Sequence, residues 1–209
     1  MTVSADGVPL RERQRQEREM LVLRAAADLF VERGYHETSM EDIAARVGIA
    51  KGTVYLYFPS KREIFLETFR QGTLALQEEV ARNMAAEDDT EAKIRAFIRT
   101  RLDYSERNRG FIRIYYTEFN NMLIHPAPVQ QEFQDLYNRQ AHALARVIED
   151  GIERKQVRRM DAPAAARFIY DSTRGFIAQR LLGWSASSVE EDANFVFEVI
   201  WKGITCAKR

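Results

Sequence analysis

An all-α fold is predicted by three features of this 209-residue sequence. Glycine and proline are scarce, at 10 and 5 residues, so few positions interrupt a helix. Apolar residues recur at helical spacing along nearly the whole chain, with no convincing strand pattern. Capping signatures, a Ser or Thr followed three residues later by an acid, open several of the periodic stretches.

Residues 1–15 read as a flexible arm, and a first helix runs from about Gln16 to Arg33, where Gly34 stops it. Val22, Ala25, Ala26, Leu29 and Phe30 form its apolar stripe. Thr38 with Glu41 makes a capping box for a second helix, and Ser39 offers a cap one residue later. Ile43, Val47, Ile49 and Val54 have the spacing of two short helices sharing one small core, and Ala44 lets them cross closely. Gly48 falls in the turn between them, where a positive φ is cheap for glycine alone. A third helix spans about Ala50 to Phe58. Lys51, Thr53, Tyr55 and Tyr57 crowd onto it with Gly52 among them, giving donors without bulk at its start. Pro59 ends it, and Ser60 with Glu63 caps a long fourth helix to about Asn83.

The run from Ile43 and Ala44 through Gly48, Ile49, Lys51, Gly52, Thr53, Val54, Tyr55, Tyr57 and Phe58 to Lys61 closely resembles the DNA-binding signature of the tetracycline-repressor (TetR) family of bacterial regulators. Core packing alone accounts for Ile43, Ile49 and Val54, but not for the polar set beside them. The resemblance implies DNA contact at Lys51, Gly52, Thr53, Tyr55, Tyr57 and Lys61, with Thr38 and Ser39 clamping phosphate at the second helix. Lys51 suits guanine acceptors, and the Thr53 hydroxyl and methyl suit a base edge. Core packing is the alternative role for either tyrosine, and Tyr55 has the character for both.

Glu87-Asp88-Asp89-Thr90 reads as a turn and cap before a fifth helix carrying Ile94, Phe97, Ile98, Arg101, Leu102 and Tyr104. Arg109-Gly110 breaks it. An aromatic segment from Phe111 to Leu123 follows, ended by His125-Pro126-Ala127-Pro128. A long seventh helix covers about Val129 to Arg154. Asp161 and Pro163 open an eighth that reaches Leu182 before Gly183. Ser188 with Glu191 caps the ninth.

These readings divide the chain into an arm (1–15), a helix-turn-helix domain (16–60) and a larger helical domain (61–209). Aromatic residues are plentiful in the larger one. They fill a core, or they line a small-ligand cavity of the kind the resemblance implies among helices four to eight. On that implication, the candidate ligand-binding residues are Phe65, Phe69, Phe97, Tyr104, Phe111, Tyr115, Phe119, Met122, Phe133, Tyr137, Tyr170 and Arg174. Polar residues such as Arg101, Glu118, Asn120, Asn121, His142 and Asp171 share these helices, and spacing does not say which face inward. Small residues on the eighth helix and apolar residues around the ninth suggest burial on more than one side. Ala178, Leu182, Phe195, Val199 and Trp201 are the expected interface of a symmetric homodimer, as in the family. Two recognition helices would then reach successive major grooves about 34–36 Å apart.

Charge neither supports nor excludes a nucleic-acid partner. Lys plus Arg and Asp plus Glu both number 31. The first 62 residues hold ten basic and nine acidic side chains. Placement matters more: residues 50–62 carry Lys51, Lys61 and Arg62 without an acid. The Arg-rich stretch from Leu10 to Arg18 reads equally well as DNA-facing or as a solvated charge run. The single Cys206 excludes an intramolecular disulfide and suits a reducing interior. With no signal-peptide core and no apolar stretch of membrane-spanning length, a cytoplasmic protein without a membrane partner is expected.

Enzymatic signatures are missing. His36, His125 and His142 lack metal-ligand spacing, no Gly-rich loop follows a strand, and no nucleophile elbow is present. Neither catalysis, a metal nor a cofactor is expected. The sequence therefore predicts a ligand-responsive regulator, a repressor by resemblance, whose partners are double-stranded operator DNA, a small-molecule effector and a second copy of itself. The competing reading is a helical ligand-binding or enzymatic protein that does not use the motif for DNA.

Overall fold

The computed structural model describes residues 9–122 and 127–205, without the side chains at 115, 118–122, 127–130, 132, 133 and 136. Tyr115, Phe119, Met122 and Phe133 of the expected cavity, with Glu118, Asn120 and Asn121, therefore have side chains outside the described set, as do His125 and Cys206 altogether. Nine helices are found among the described residues: α1 Leu10–Arg33, α2 Met40–Val47, α3 Lys51–Tyr57, α4 Lys61–Ala85, α5 Thr90–Arg107, α6 Arg109–Met122, α7 Ala127–Glu153, α8 Ala162–Leu181 and α9 Val189–Ile204. Extended pairing among them is limited to one isolated bridge between Val157 and Thr205. The chain divides into two compact units at Gly72 and Thr73, within α4.

In the first unit, α1 begins at Leu10, about two turns before the expected Gln16. Pro9 stands at the cap with φ −57°, already close to helical, and exposed i,i+4 pairs (Arg13–Glu17 at 3.3 Å, Arg15–Glu19 at 2.9 Å) line the added turns. Periodicity could not reveal this extension, because the added turns bury nothing. The cap of α2 is Ser39 with Asp42, the later of the two possibilities. Gly48 ends α2 at φ +76°, ψ +33°, the left-handed conformation the turn requires. Val22, Ala26, Leu29 and Phe30 of α1 are buried with Ile43 and Ala44 of α2, Val54 of α3 and Ile64 and Phe65 of α4. Phe30, Tyr35 and Phe65 pack ring to ring, with centroids 5.1 to 5.9 Å apart.

The second unit is organised around α5, which packs against α6, α7, α8 and α9. Ile94, Phe97, Ile98 and Leu102 are fully buried and meet Leu144 and Ile148 of α7, Ala166 and Ile169 of α8, and Phe197 of α9. Asp89, Asp161 and Ser188 accept hydrogen bonds from the first turns of α5, α8 and α9. Gly151 permits α7 to pass the start of α5. A Cβ there would meet Thr90 Cγ2 at 2.6 Å, closer than van der Waals contact allows.

Candidate functional site

α3 buries Val54 and turns Lys51, Gly52, Tyr55 and Leu56 outward. Gly52 faces open space, since an added Cβ would meet nothing within 4 Å. Lys51 donates to the Glu41 carboxylate of α2 and stands 5.7 Å from the Tyr55 ring centroid. That hydrogen bond holds the Glu41 carboxyl below its ordinary range and raises the Lys51 ammonium above its own. Exposed pairs of this type are screened by salt and give way readily to a competing anion. Thr53 and Tyr57 are half-buried on the same helix.

Leu56 is the residue that the sequence reading passed over. It is 77% exposed, among donors, on a helix whose other apolar residue is buried. Its spacing of four from Gly52 was the available signal. An exposed aliphatic side chain in that position suits a thymine methyl.

Three expected DNA residues are engaged in holding the head together. The Thr38 hydroxyl is buried and donates to the Gly34 carbonyl at 2.8 Å. Ser39 caps α2, accepting from Asp42 N and donating to its carboxylate at 2.5 Å, which holds the Asp42 carboxyl below its usual range. The Lys61 ammonium donates to the carbonyls of Tyr35 (2.7 Å), His36 (3.2 Å) and Thr38 (2.7 Å), over the Tyr35 ring. Lys61 thereby ties the α1–α2 loop to the first turn of α4.

In the second unit, a polar and aromatic cluster joins α5, α6, α7 and α8. The Arg101 guanidinium is buried, 3.8 Å from the Tyr170 ring centroid and 5.4 Å from that of Phe97, and donates to Gln140 Oε1. Tyr137 packs edge-on against Tyr170 at 4.5 Å and donates to Asp171 Oδ2 at 3.0 Å. Desolvation, then that bond, pushes its phenol up to about 12. Tyr116 donates to the Arg174 carbonyl at 3.1 Å, and burial likewise pushes it up to about 12. Neither tyrosine ionises at neutral pH, so both act as neutral hydrogen-bonding groups.

Tyr137, Tyr170 and Arg174 of the expected ligand set meet here. Phe97 lies in the core beneath them, while Phe65 and Phe69 are buried within the first unit. Tyr104 and Phe111 are half-buried on α5 and α6. Arg101, one of the polar residues whose facing the spacing left open, and Gln140, which the sequence did not single out, complete the cluster. Both are polar, and only the fold shows that they point inward. A separate polar groove of about 540 Å³ lies between α4 and α5, lined by Asn83, Glu91, Arg95, Arg99 and Asp103.

Of the expected interface, Leu182, Phe195 and Val199 are exposed, and Ala178 and Trp201 are half-buried. Phe168 and Trp184 add exposed apolar area on and just after α8. Among the described residues no cluster of His, Cys, Asp or Glu could hold a metal ion, and no helix is long and apolar enough to cross a membrane.

Residues 22–68 match the family described as bacterial regulatory proteins, tetR family, and residues 87–177 match the tetracyclin repressor-like C-terminal domain. This chain belongs to the TetR family. It is a DNA-binding transcriptional regulator built on that family's two-domain plan. The TetR-family relatives include the fatty acid metabolism regulator protein of Bacillus subtilis, 21% identical across 92% of this chain and 98% of that protein. The transcriptional activator FasR of Mycolicibacterium smegmatis is 31% identical over half of this chain, which spans about half of FasR's length. A Saccharomonospora viridis regulator solved with choline shares the fold at TM-score 0.81 and 23% identity, covering 93% of this chain and all of that one. FadR of B. subtilis, solved with stearoyl-CoA, does so at 0.76 and 19%, covering 88% and 98%.

Proposed function

We propose that this TetR-family regulator is a cytoplasmic homodimeric repressor that releases a palindromic operator when a small hydrophobic or amphipathic molecule enters its second unit. The observation that carries the reading is the outward face of α3. It offers a lightly held lysine, a glycine that adds no bulk, and tyrosine and leucine side chains to a groove. Lys51, Thr53, Tyr55 and Leu56 read bases, Tyr57 meets phosphate, and Thr38, Ser39 and Lys61 fix the head's geometry. Leu182, Phe195 and Val199, with Phe168, form the seam with a second copy, which supplies the second recognition helix.

The aromatic cluster of α5–α8 receives the effector, and α4, which runs unbroken from the head into the second unit, transmits its arrival. An effector that favours one dimer shape by about 1–3 kcal/mol lowers operator affinity by about 5–150-fold, and operator weakens the effector by the same factor. The fatty acid metabolism regulator of B. subtilis and the neighbours solved with stearoyl-CoA and choline support a small-molecule effector without choosing among them.

Selection from randomised duplexes by the purified full chain tests the DNA arm. Enrichment of an inverted repeat with half-sites about one helical turn apart is expected. Binding without sequence preference would overturn it.

A further inference from the structure

The second unit contains two inward arginines, and it treats them differently. Arg180, with its side chain 11% exposed, is matched by Asp192 at 2.7 Å and Glu106 at 3.1 Å. Arg101 is 3% exposed, and among the described residues no carboxylate lies within 4 Å of it. Its Nε is the one buried side-chain polar atom, among the described residues, without a hydrogen-bond partner. One amide oxygen and the faces of Tyr170 and Phe97 are what the fold sets against it.

A guanidinium stays charged when buried. A ring face and a neutral amide offset only part of its desolvation. The surroundings do not repair the imbalance. Arg174 is the next cation and Asp171 the next anion, paired at 3.9 Å and both half-exposed, so among the described residues the cluster keeps two guanidiniums against one carboxylate. Tyr116 and Tyr137, neutral at physiological pH, add no negative charge. Folding has thus carried one positive charge into an aromatic setting and left a donor on it unmatched. A ligand supplies what is lacking if it brings a carboxylate to the Nε edge and an apolar body to Tyr137 and Tyr170.

We infer that Arg101, oriented by Gln140 and Tyr170, is the head-group receptor for an amphipathic organic acid, an apolar body carrying one carboxylate. This rests on the reading of the second unit as the effector site and narrows that effector from any amphipath to an anionic one.

The test uses the full chain and matched probes: dodecanoate and 2-naphthoate, their methyl esters, and dodecyltrimethylammonium. Binding is followed by calorimetry and thermal shift, and operator affinity is measured in parallel. At least one acid should bind the parent and raise its melting temperature, while the esters and the ammonium should not. Arg101→Met should lose about 30-fold or more in acid affinity, because a buried charge partner is removed. Arg101→Lys should retain part of it. Without ligand, Arg101→Met should melt no lower than the parent, which a merely structural arginine would not allow. The inference is overturned if neither acid binds, if esters or the ammonium bind as well as the acids, if Arg101→Met keeps parental acid affinity, or if that variant alone is destabilised. An acid that binds through Arg101 yet leaves operator affinity unchanged supports the head-group assignment and sinks the regulatory reading instead. Operator release by an ester that binds Arg101→Met equally well does the reverse.

Discussion

Lys61 in the first unit and Arg101 in the second are both cations over a tyrosine ring, with centroids 4.5 and 3.8 Å away. Lys61 directs three N–H groups at three backbone carbonyls. Among the described residues, Arg101 has one amide partner and an Nε with none. The apolar faces differ less sharply, since Leu21 (52%) and Leu56 (77%) of the first unit are exposed as well. The first unit closes its core around Phe30 and Phe65, whereas α8 and α9 leave Phe168, Phe195 and Val199 more than half exposed. The first unit matches its inward cation with its own backbone and offers the outward face of α3 to DNA. The other carries unmatched capacity inside and out, which is what a ligand site and a dimer seam require.

The largest expected effect breaks the outer half of that contrast. Val199 is 59% exposed, so Val199→Glu should leave the protomer folded by circular dichroism. If this face is the seam, an unpaired charge buried there costs about 3–5 kcal/mol, and light scattering should show dimer for the parent and monomer for the variant. Operator affinity should fall with it. A variant that remains dimeric would place the seam elsewhere.

Next in size is the closure of the reading head. Lys61→Met keeps the bulk of the side chain but removes the charge over the Tyr35 ring and strands three carbonyls, two of them in part-buried bonds. Destabilisation of the first unit by about 2–3 kcal/mol is expected in urea. Operator affinity should then recover at low temperature, where the loop reforms. Lys51→Ala provides the counterpart. Its exposed side chain holds the Glu41 pair and stands over the Tyr55 ring, both at the surface, so stability should stay near parental while operator affinity drops by about 1–3 kcal/mol. A loss of affinity for Lys61→Met alone would move the reading function off α3.

Much of this was legible in the sequence, for reasons that differ by element. The caps at Ser188 and Asp161, the left-handed Gly48 and the core stripe of α1 follow from local chemistry, and the structure keeps them. The early start of α1 was hidden because Leu10 to Arg18 bury nothing and so leave no periodic trace. Thr38 and Lys61 were legible as residues of the head but not in their partners, since their acceptors lie on the far side of a loop. Arg101 and Gln140 are separated by 39 positions and meet only in the fold. Their significance is a matter of burial, which composition and spacing do not carry for polar residues.

The smallest expected effect probes how self-contained the first unit is at low pH. Hydrogen bonds from Ser39, first its hydroxyl and then its backbone N–H, hold the Asp42 carboxyl below its ordinary range. A carboxyl with a lowered folded value stabilises the native state above its unfolded value, and that contribution disappears as pH falls through the folded one. The parent should therefore lose this contribution below about pH 4, where an unfolded aspartate begins to take up its proton. Asp42→Asn lacks the charge at every pH, though its amide oxygen still accepts from Ser39 N. Melting curves recorded side by side should show a small constant gap in favour of the parent above about pH 5, closing below about pH 4. Because every other titrating group is common to both proteins, the gap isolates Asp42. A gap that persists unchanged into acid would mean that the capping box works through geometry alone, with the charge contributing nothing to the stability of α2.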